Sequence, residues 1–451
     1  MLSRKIEKDL LRFYDSSGKK ALLITGVRQV GKTYSIRASG KQSFNSFIEV
    51  NFLENIPART LFENAKNSKD LLLRLSALVD SPLIPGKTLI FFDEVQECKE
   101  IVTAIKFLVE EGSFRYILSG SLLGVDLKDI RSIPVGYMDI IEMYPLDFEE
   151  FALANQVSST VLEALRKSFT DKVAVDPVIH EKMMDLFRLY LIVGGMPVAV
   201  QTYLSTNNLK EVMREQRSIL SLYKKDIANY DSENKLYLED IFDLIPSELN
   251  SKNKRFILKK LNENFKYSRY ANSFLWLKDA GVALPTFCVK EPTVPLLLSK
   301  CSNLFKLFLC DVGLLSSMYM DNIQLKILNK EKNINFGSVY ENVAAQEFKA
   351  HGFNLYYFNS KKQGEIDFLL EREGAILPIE IKSGKEFTKH SALDNLLSIP
   401  NYAISEAFVF HNDNVRQDGK VMYYPMYMLM FVEKTDLAQD LIYTLDLDVL
   451  R

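Results

Sequence analysis

Two groups of residues in this chain have the types and spacing that chemistry demands. The first is Gly26-Val27-Arg28-Gln29-Val30-Gly31-Lys32-Thr33, spaced Gly-x4-Gly-Lys-Thr. Glycines in such a loop let successive backbone N–H groups turn inward toward phosphate oxygens, which a Cβ would obstruct. Lys32 would set a point charge on the β- and γ-phosphates of ATP, and Thr33 would offer its hydroxyl to Mg²⁺. The helix that follows aims its positive end at the same anion, which brings Tyr34 into the set of expected nucleotide contacts. Asp93 ends the apolar run Thr88-Leu-Ile-Phe-Phe92 and can hold the magnesium through its water shell. Glu94, beside it, can orient an attacking water. A small-molecule kinase has no need of that second carboxylate, so the pair favours hydrolysis. Ser119 and Ser121 flank Gly120; Ser119 could touch the γ-phosphate or the lytic water, or Ser-Gly-Ser could be ordinary turn chemistry.

The second group lies near the C-terminus. Gly364 to Leu370 reads as a strand, Arg372-Glu-Gly374 as a turn, and Ile376 to Lys382 as the return strand. Side chains alternate along a strand, so Glu380 and Lys382 share a face while Ile379 and Ile381 point to the core. Asp367 can reach that same face from the neighbouring strand. Glu341, on a preceding helix whose apolar side is marked by Val339, Val343 and Ala344, could complete the cluster. Carboxylates that chelate Mg²⁺ beside a lysine that steers water would make a metal-assisted phosphodiesterase. The competing reading is a cross-strand ladder of ion pairs, each worth ~0.2–1 kcal/mol.

The elements that must position these groups are legible as periodicities. Ala21 to Thr25, Thr88 to Phe92 and Tyr116 to Ser119 are near-continuous apolar runs, suited to a parallel sheet covered on both faces. A helical stretch from Glu100 to Glu111 precedes the third, so the first part reads as an α/β layer. Ile6, Leu10 and Tyr14 recur at helical spacing near the N-terminus. From Phe148 to Tyr230 the spacing is helical, broken at Gly194-Gly195-Met196-Pro197. Short helices and a strand from Gly281 to Val289 follow. Helix and strands alternate again from Phe336, with strands expected at Ala407 to His411 and Met422 to Val432.

Bulk properties narrow the field. At 451 residues the chain has room for about three domains. Its 47% hydrophobic and 25% charged residues are those of a globular protein, and a net charge of −2 advertises neither a polyanion nor a membrane partner. Cys98, Cys288, Cys301 and Cys310 are scattered and read as reduced thiols in a cytoplasmic protein. The four histidines offer no zinc spacing. No run approaches the ~20 apolar residues that span a bilayer.

The loop GVRQVGKT, the strand end FFDEVQ, ILSGS, Pro145 to Phe151 and Gly194 to Pro197 resemble a prokaryotic AAA-type ATPase family. Trp276 to Gly281 and Phe305 to Leu315 resemble that family's second domain, of unknown function. The resemblance covers nearly the whole chain. It implies an AAA-type P-loop core (1–145), a helical lid (146–230), a winged-helix-like domain (231–295), a connector (296–330) and a restriction-endonuclease-like domain (331–451). The order Asp367, Glu380-x-Lys382 is similar to the signature of that nuclease superfamily. Many AAA-type members carry an arginine where this chain has Tyr137. If that arginine acts on a neighbouring subunit, a homo-oligomer here must use another cation, Arg131 for instance, or hydrolyse slowly.

The middle of the chain adds one more feature. Lys252 to Arg269 holds seven basic residues against the single acid Glu263, with Tyr267 and Tyr270 interleaved. A winged-helix domain would present these to DNA phosphates; a solvated helical face would look the same. Two whole-molecule expectations follow: an ATP-hydrolysing protein coupled to a nuclease-like module acting on DNA, or an ATP-switched regulator whose carboxylate cluster is inert.

Overall fold

The computed structural model describes residues 2–63, 67–79, 81–120, 136–230, 235–251, 256, 273–274, 276–319, 323–329, 337–384, 386–434 and 444–445. Strands β1 (Ala21–Thr25), β2 (Ser46–Asn51), β3 (Thr88–Asp93), β4 (Arg115–Ser119) and β5 (Met138–Glu142) form an all-parallel sheet in the order β2-β3-β4-β1-β5. The three runs read from sequence are its centre: Leu23, Ile24, Ile90, Phe91, Ile117 and Leu118 are all fully buried. The outer two, β2 and β5, escaped notice. Buried and half-buried residues alternate along β2, and β5 is a partly exposed edge strand. Because every strand runs the same way, the carboxyl ends of β1, β3 and β4 open onto one edge, where ligands of such sheets bind. The order also inserts β4 between β1 and β3, so Ser119 stands between the glycine loop and Asp93.

Helix α1 (Ile6–Asp15) buries Ile6, Leu10 and Phe13; Tyr14 is half-buried, its hydroxyl hydrogen-bonded to Ser39 at 2.9 Å. Helices α2 (Lys32–Ser43), α3 (Ile56–Glu63), α4 (Ser68–Leu78) and α5 (Lys99–Glu111) cover the sheet. Five helices then carry the spacing seen after Pro145: α6 (Phe148–Ala154), α7 (Ser159–Asp171), α8 (Pro177–Val193), α9 (Pro197–Thr206) and α10 (Leu209–Tyr230). Asp147 starts the first with a reciprocal capping box to Glu150. Helix α11 (Lys235–Leu249) follows. The basic segment beyond it lies, apart from Phe256, outside the described residues, as do Ser121 and Arg131.

The second sheet has eight strands in the order β12-β13-β11-β10-β9-β8-β6-β7. They are β6 (Ala283–Val289), β7 (Lys300–Leu309), β8 (Tyr356–Ser360), β9 (Gly364–Arg372), β10 (Ala375–Ile381), β11 (Ala407–His411), β12 (Arg416–Asp418) and β13 (Val421–Pro425). The hairpin β6–β7 comes from segments expected in the middle domain and connector, yet β6 pairs in parallel with β8 and extends the C-terminal sheet. The strand expected to run to Val432 ends at Pro425. Met426–Phe431 is instead a fully buried 3-10 turn, apolar because it is packed on all sides. Helices α12 (Val312–Met318), α13 (Ile323–Leu328), α14 (Gly337–Ala350) and α15 (Ser391–Leu397) complete the described architecture.

Helix α14 differs from its expected one-sided form, for Ser338 to Phe348 are all buried. It is wedged between the C-terminal sheet and the helices of the first half, so its polar residues need internal partners. Asn342 accepts from Leu309 N at 2.8 Å and donates to Leu309 O at 3.0 Å. Gln346 accepts from Val312 N and donates to the Tyr190 hydroxyl, both at 2.8 Å. Glu347 accepts from Phe148 N at 2.9 Å. One helix thus holds β7, the start of α12 and helices α6 and α8 together.

Candidate nucleotide site and the buried carboxylate cluster

The glycine loop is shaped as its spacing requires. Gly26 (φ +135°) packs so closely on the strand beyond it that a Cβ would meet Met143 O at 2.2 Å. Gly31 (φ +96°) is left-handed at the start of α2, and Gln29 (φ 65°) accepts the same strain without being glycine. Lys32 is buried, its Nζ donating to Gly26 O at 2.7 Å and Val27 O at 3.0 Å. Burial lowers its ammonium to about 8, against the pull of Glu94 and Asp93.

Asp93 gathers the rest of the site. Its Oδ2 accepts from Thr33 Oγ1 at 2.9 Å and from Asn51 Nδ2 at 3.4 Å; its Oδ1 accepts from Ser119 Oγ and, at 3.0 Å, from Glu94 N. Burial raises its carboxyl, and the Ser119 and Thr33 hydrogen bonds hold it down in opposition. Glu94 sits at φ 54°, ψ 48°, a left-handed conformation uncommon for a non-glycine residue, and accepts from Gln96 Nε2 at 2.6 Å. Thr33 and Asp93 bring oxygens from two elements to one point, a donor pair that suits a hydrated Mg²⁺, while Asn51 donates its amide N–H to the same carboxylate.

The loop is held from outside the sheet as well. Arg28 is salt-bridged to Asp226 on α10, and Tyr223 donates to Arg28 O at 3.2 Å. Buried Arg4 donates to Val30 O at 2.9 Å and pairs with Glu150 at 3.1 Å. A cavity of about 300 Å³ opens beside Gly31, walled by Leu2, Tyr34, Pro197, Val198 and Ile219. Tyr137 lies at the opposite edge of the sheet, its carbonyl bonded to Ala21 N and its hydroxyl to Glu110 at 2.6 Å. Asn51, Arg4 and Asp226 were not read from sequence. The signal for Asn51 was a polar residue ending an alternating strand; distant Arg4 and Asp226 left none.

The C-terminal residues also meet. Lys382 pairs with Glu380 at 2.8 Å, and Asp367 Oδ2 accepts from Ile381 N at 2.9 Å. Burial, then Asp367, raises the Glu380 carboxyl to about 8 against the opposing pull of Lys382. Into this group comes a residue that sequence reasoning passed over. Lys306 on β7 is 0% exposed, with Nζ 2.8 Å from Glu365, 3.5 Å from Glu341 and 3.8 Å from Asp367. Burial alone would lower its ammonium, but Glu341, Asp367 and Glu365 outweigh it and hold it well above the ordinary lysine range. The signals were present: a lone lysine inside the apolar run Leu304 to Cys310, and Glu365 two residues before Asp367 on one strand face. A divalent ion does not fit among Glu341, Glu365 and Asp367 while that ammonium stands between them.

Comparison with known proteins bears on the parts separately. Residues 18–152 match the model of a family described as an AAA domain. Residues 184–328 and 336–429 each match a family described as a domain of unknown function (DUF8612 and DUF4143). No curated protein matches the chain. Among solved structures, a point variant of RuvB from Thermotoga maritima is similar at 14% identity over 62% of this chain and 88% of that one, with a TM-score of 0.29. AMPPCP-bound DnaA from Aquifex aeolicus follows at 12% identity over 61% and 86%, TM-score 0.28. The Orc1 protein of Aeropyrum pernix, in complex with DNA, gives 12% over 72% and 93%, TM-score 0.25. Among the described residues no helix is long and apolar enough to cross a membrane. The segment that matches the AAA domain, 18–152, is the one that carries the parallel sheet, the glycine loop of a P-loop fold and the Asp93 centre.

Proposed function

We propose that this protein binds ATP with Mg²⁺, hydrolyses it, and passes its nucleotide state to the C-terminal domain. The observation that carries the reading is the convergence on Asp93 of Thr33, Asn51, Ser119 and Glu94 N beside a lysine-bearing glycine loop. Phosphates entering the loop would draw Lys32 Nζ away from Gly26 O and Val27 O. Thr33 and Asp93 would then hold Mg²⁺, which supplies charge neutralisation on the phosphates. Glu94 would orient the water, and Ser119 would stand near the γ-phosphate. The cavity beside Gly31, where Arg4, Gln201 and Glu215 join the apolar walls, suits the base, with Tyr34 at its rim.

Transmission rests on what already grips the loop. Arg28 is tied to α10, Val30 to Arg4, and the bend at Gly281 lies against Val27, where an added Cβ would come 3.3 Å from Val27 N. A loop reshaped by phosphate would move these contacts together. The partner we propose is DNA, engaged through the basic segment Lys252 to Arg269, whose charge excess would make binding strongly salt-dependent.

Between the two readings of the C-terminal domain, Lys306 favours the ATP-switched regulator with an inert carboxylate cluster. Lys32→Ala is expected to abolish nucleotide retention and turnover. Glu94→Gln is expected to keep ATP but lower turnover by about 10²-fold or more. A steady-state phosphate-release assay beside a filter-binding assay reads both; unimpaired turnover in Glu94→Gln would overturn its role. Plasmid nicking in Mg²⁺ or Mn²⁺ is expected to be no greater for the wild type than for Asp367→Ala.

A further inference from the structure

The carboxylate cluster draws its central cation from another part of the chain. Glu341 comes from α14, Glu365 and Asp367 from β9, and Glu380 from β10, whereas Lys306 comes from β7 at the far edge strand of the same sheet. Its ammonium lies within 3.8 Å of three carboxylates and 5.0 Å above the Tyr357 ring. A divalent ion ligated by these oxygens would stand ~2.0–2.6 Å from each, in the space the ammonium takes. Both cations cannot share it. The side chain is fully buried, on a strand whose Phe305 and Phe308 are themselves 3% and 0% exposed.

We propose that Lys306 is the resident cation of this cluster, holding divalent metal out and fastening the β6–β7 hairpin to the C-terminal sheet. The proposal rests on the reading of Asp367, Glu380 and Lys382 as nuclease-like in arrangement and is independent of the ATP site. Loss of the ammonium would leave Glu341, Glu365 and Asp367 without the cation they share, and a divalent oxygen-seeking ion is the class of replacement that suits carboxylates. Lys306 therefore converts a metal site into a structural joint between segments.

The test is Mn²⁺ binding to full-length protein, followed by calorimetry and electron paramagnetic resonance without nucleotide. Thr33→Val in every protein silences the loop site. The Thr33→Val protein is expected to bind no Mn²⁺ at the cluster. Adding Lys306→Met is expected to tighten binding by at least about tenfold, the scale on which neighbouring groups tune metal sites. Asp367→Asn in that background should remove the gain. A folded Lys306→Met protein that gains no metal overturns the proposal. If Lys306→Met does not fold, Thr33→Val decides by itself: Mn²⁺ lost with Asp367→Asn overturns the proposal, and no bound Mn²⁺ supports it. ATP turnover, measured in chains with Thr33 intact, separates a failure here from a failure of the nucleotide reading.

Discussion

At the scale of single residues, Asp93 and Lys306 solve opposite problems with buried charge. Asp93 is a carboxylate kept serviceable: burial pushes its proton affinity up, while hydroxyls from Thr33 and Ser119 and the N–H of Glu94 stabilise the ionised form. Asn51 belongs to that set and also caps the turn after β2, its Oδ1 accepting from Leu53 N at 2.9 Å and Glu54 N at 3.1 Å. Its replacement should therefore act on turnover more than on affinity. Asn51→Ala is expected to retain ATP within about threefold and to slow hydrolysis about tenfold, the value of one hydrogen bond to a charged group. Unchanged hydrolysis in that variant would show the contact to be incidental. The glycine loop, Asp93 and Glu94 were legible because each needs a fixed residue type at a fixed place. Asn51 and Lys306 were not, because their significance depends on which strands become neighbours.

At the scale of elements, two short motifs that looked separate in sequence prove to be one joint. Gly194-Gly195 ends α8 and Asp311 begins α12; the Asp311 carboxylate, fully buried, accepts from Gly195 N at 2.6 Å and Leu314 N at 2.9 Å. Burial raises that carboxyl to about 6, with the backbone N–H groups holding it down. Both glycines are obligatory for steric reasons. A Cβ at Gly194 would lie 2.3 Å from Asp311 Oδ1, and one at Gly195 would lie 2.0 Å from Leu146 O. Gly195→Ala should therefore cost at least the ~1–3 kcal/mol of an overpacked core, and more because the obstruction is backbone. Asp311→Ala should cost ~1–3 kcal/mol by stranding buried N–H groups. Chemical unfolding of both variants checks this; wild-type midpoints would mean the joint is slack. Helix and strand periods revealed most of the elements on either side of this joint. They failed at α14 and at Met426–Phe431, where an element enclosed on every side loses the polar face that periodicity reads.

At the scale of the whole molecule, the halves are fastened by buried carboxylates that meet lysines from distant segments. Lys306 does this in the C-terminal sheet, and Lys5 does it at the junction of the AAA-type core with α14. Lys5 Nζ lies 2.7 Å from Asp147 Oδ2, His351 Nε2 lies 3.3 Å from the same oxygen, and Glu347 stands 4.0 Å from His351. The Tyr190 hydroxyl closes the group, 3.2 Å from Glu347 Oε1. Burial, and then Asp147, raises the Glu347 carboxyl to about 8, while His351 and Lys5 act the other way. Its ordinary value is near 4.5. Between those limits the folded protein holds a proton that the unfolded chain releases, so this group makes stability fall as pH rises. His351, raised by Asp147 against the effect of burial, is lost in the same direction. Glu347→Gln, which stays neutral, should match the wild type in melting temperature below about pH 4.5 and exceed it increasingly up to about pH 8, where the difference levels off. Thermal unfolding across that range tests the point. A constant offset between the two proteins would mean that Glu347 is ionised throughout and that Lys5 and His351 suffice to hold both carboxylates in the junction.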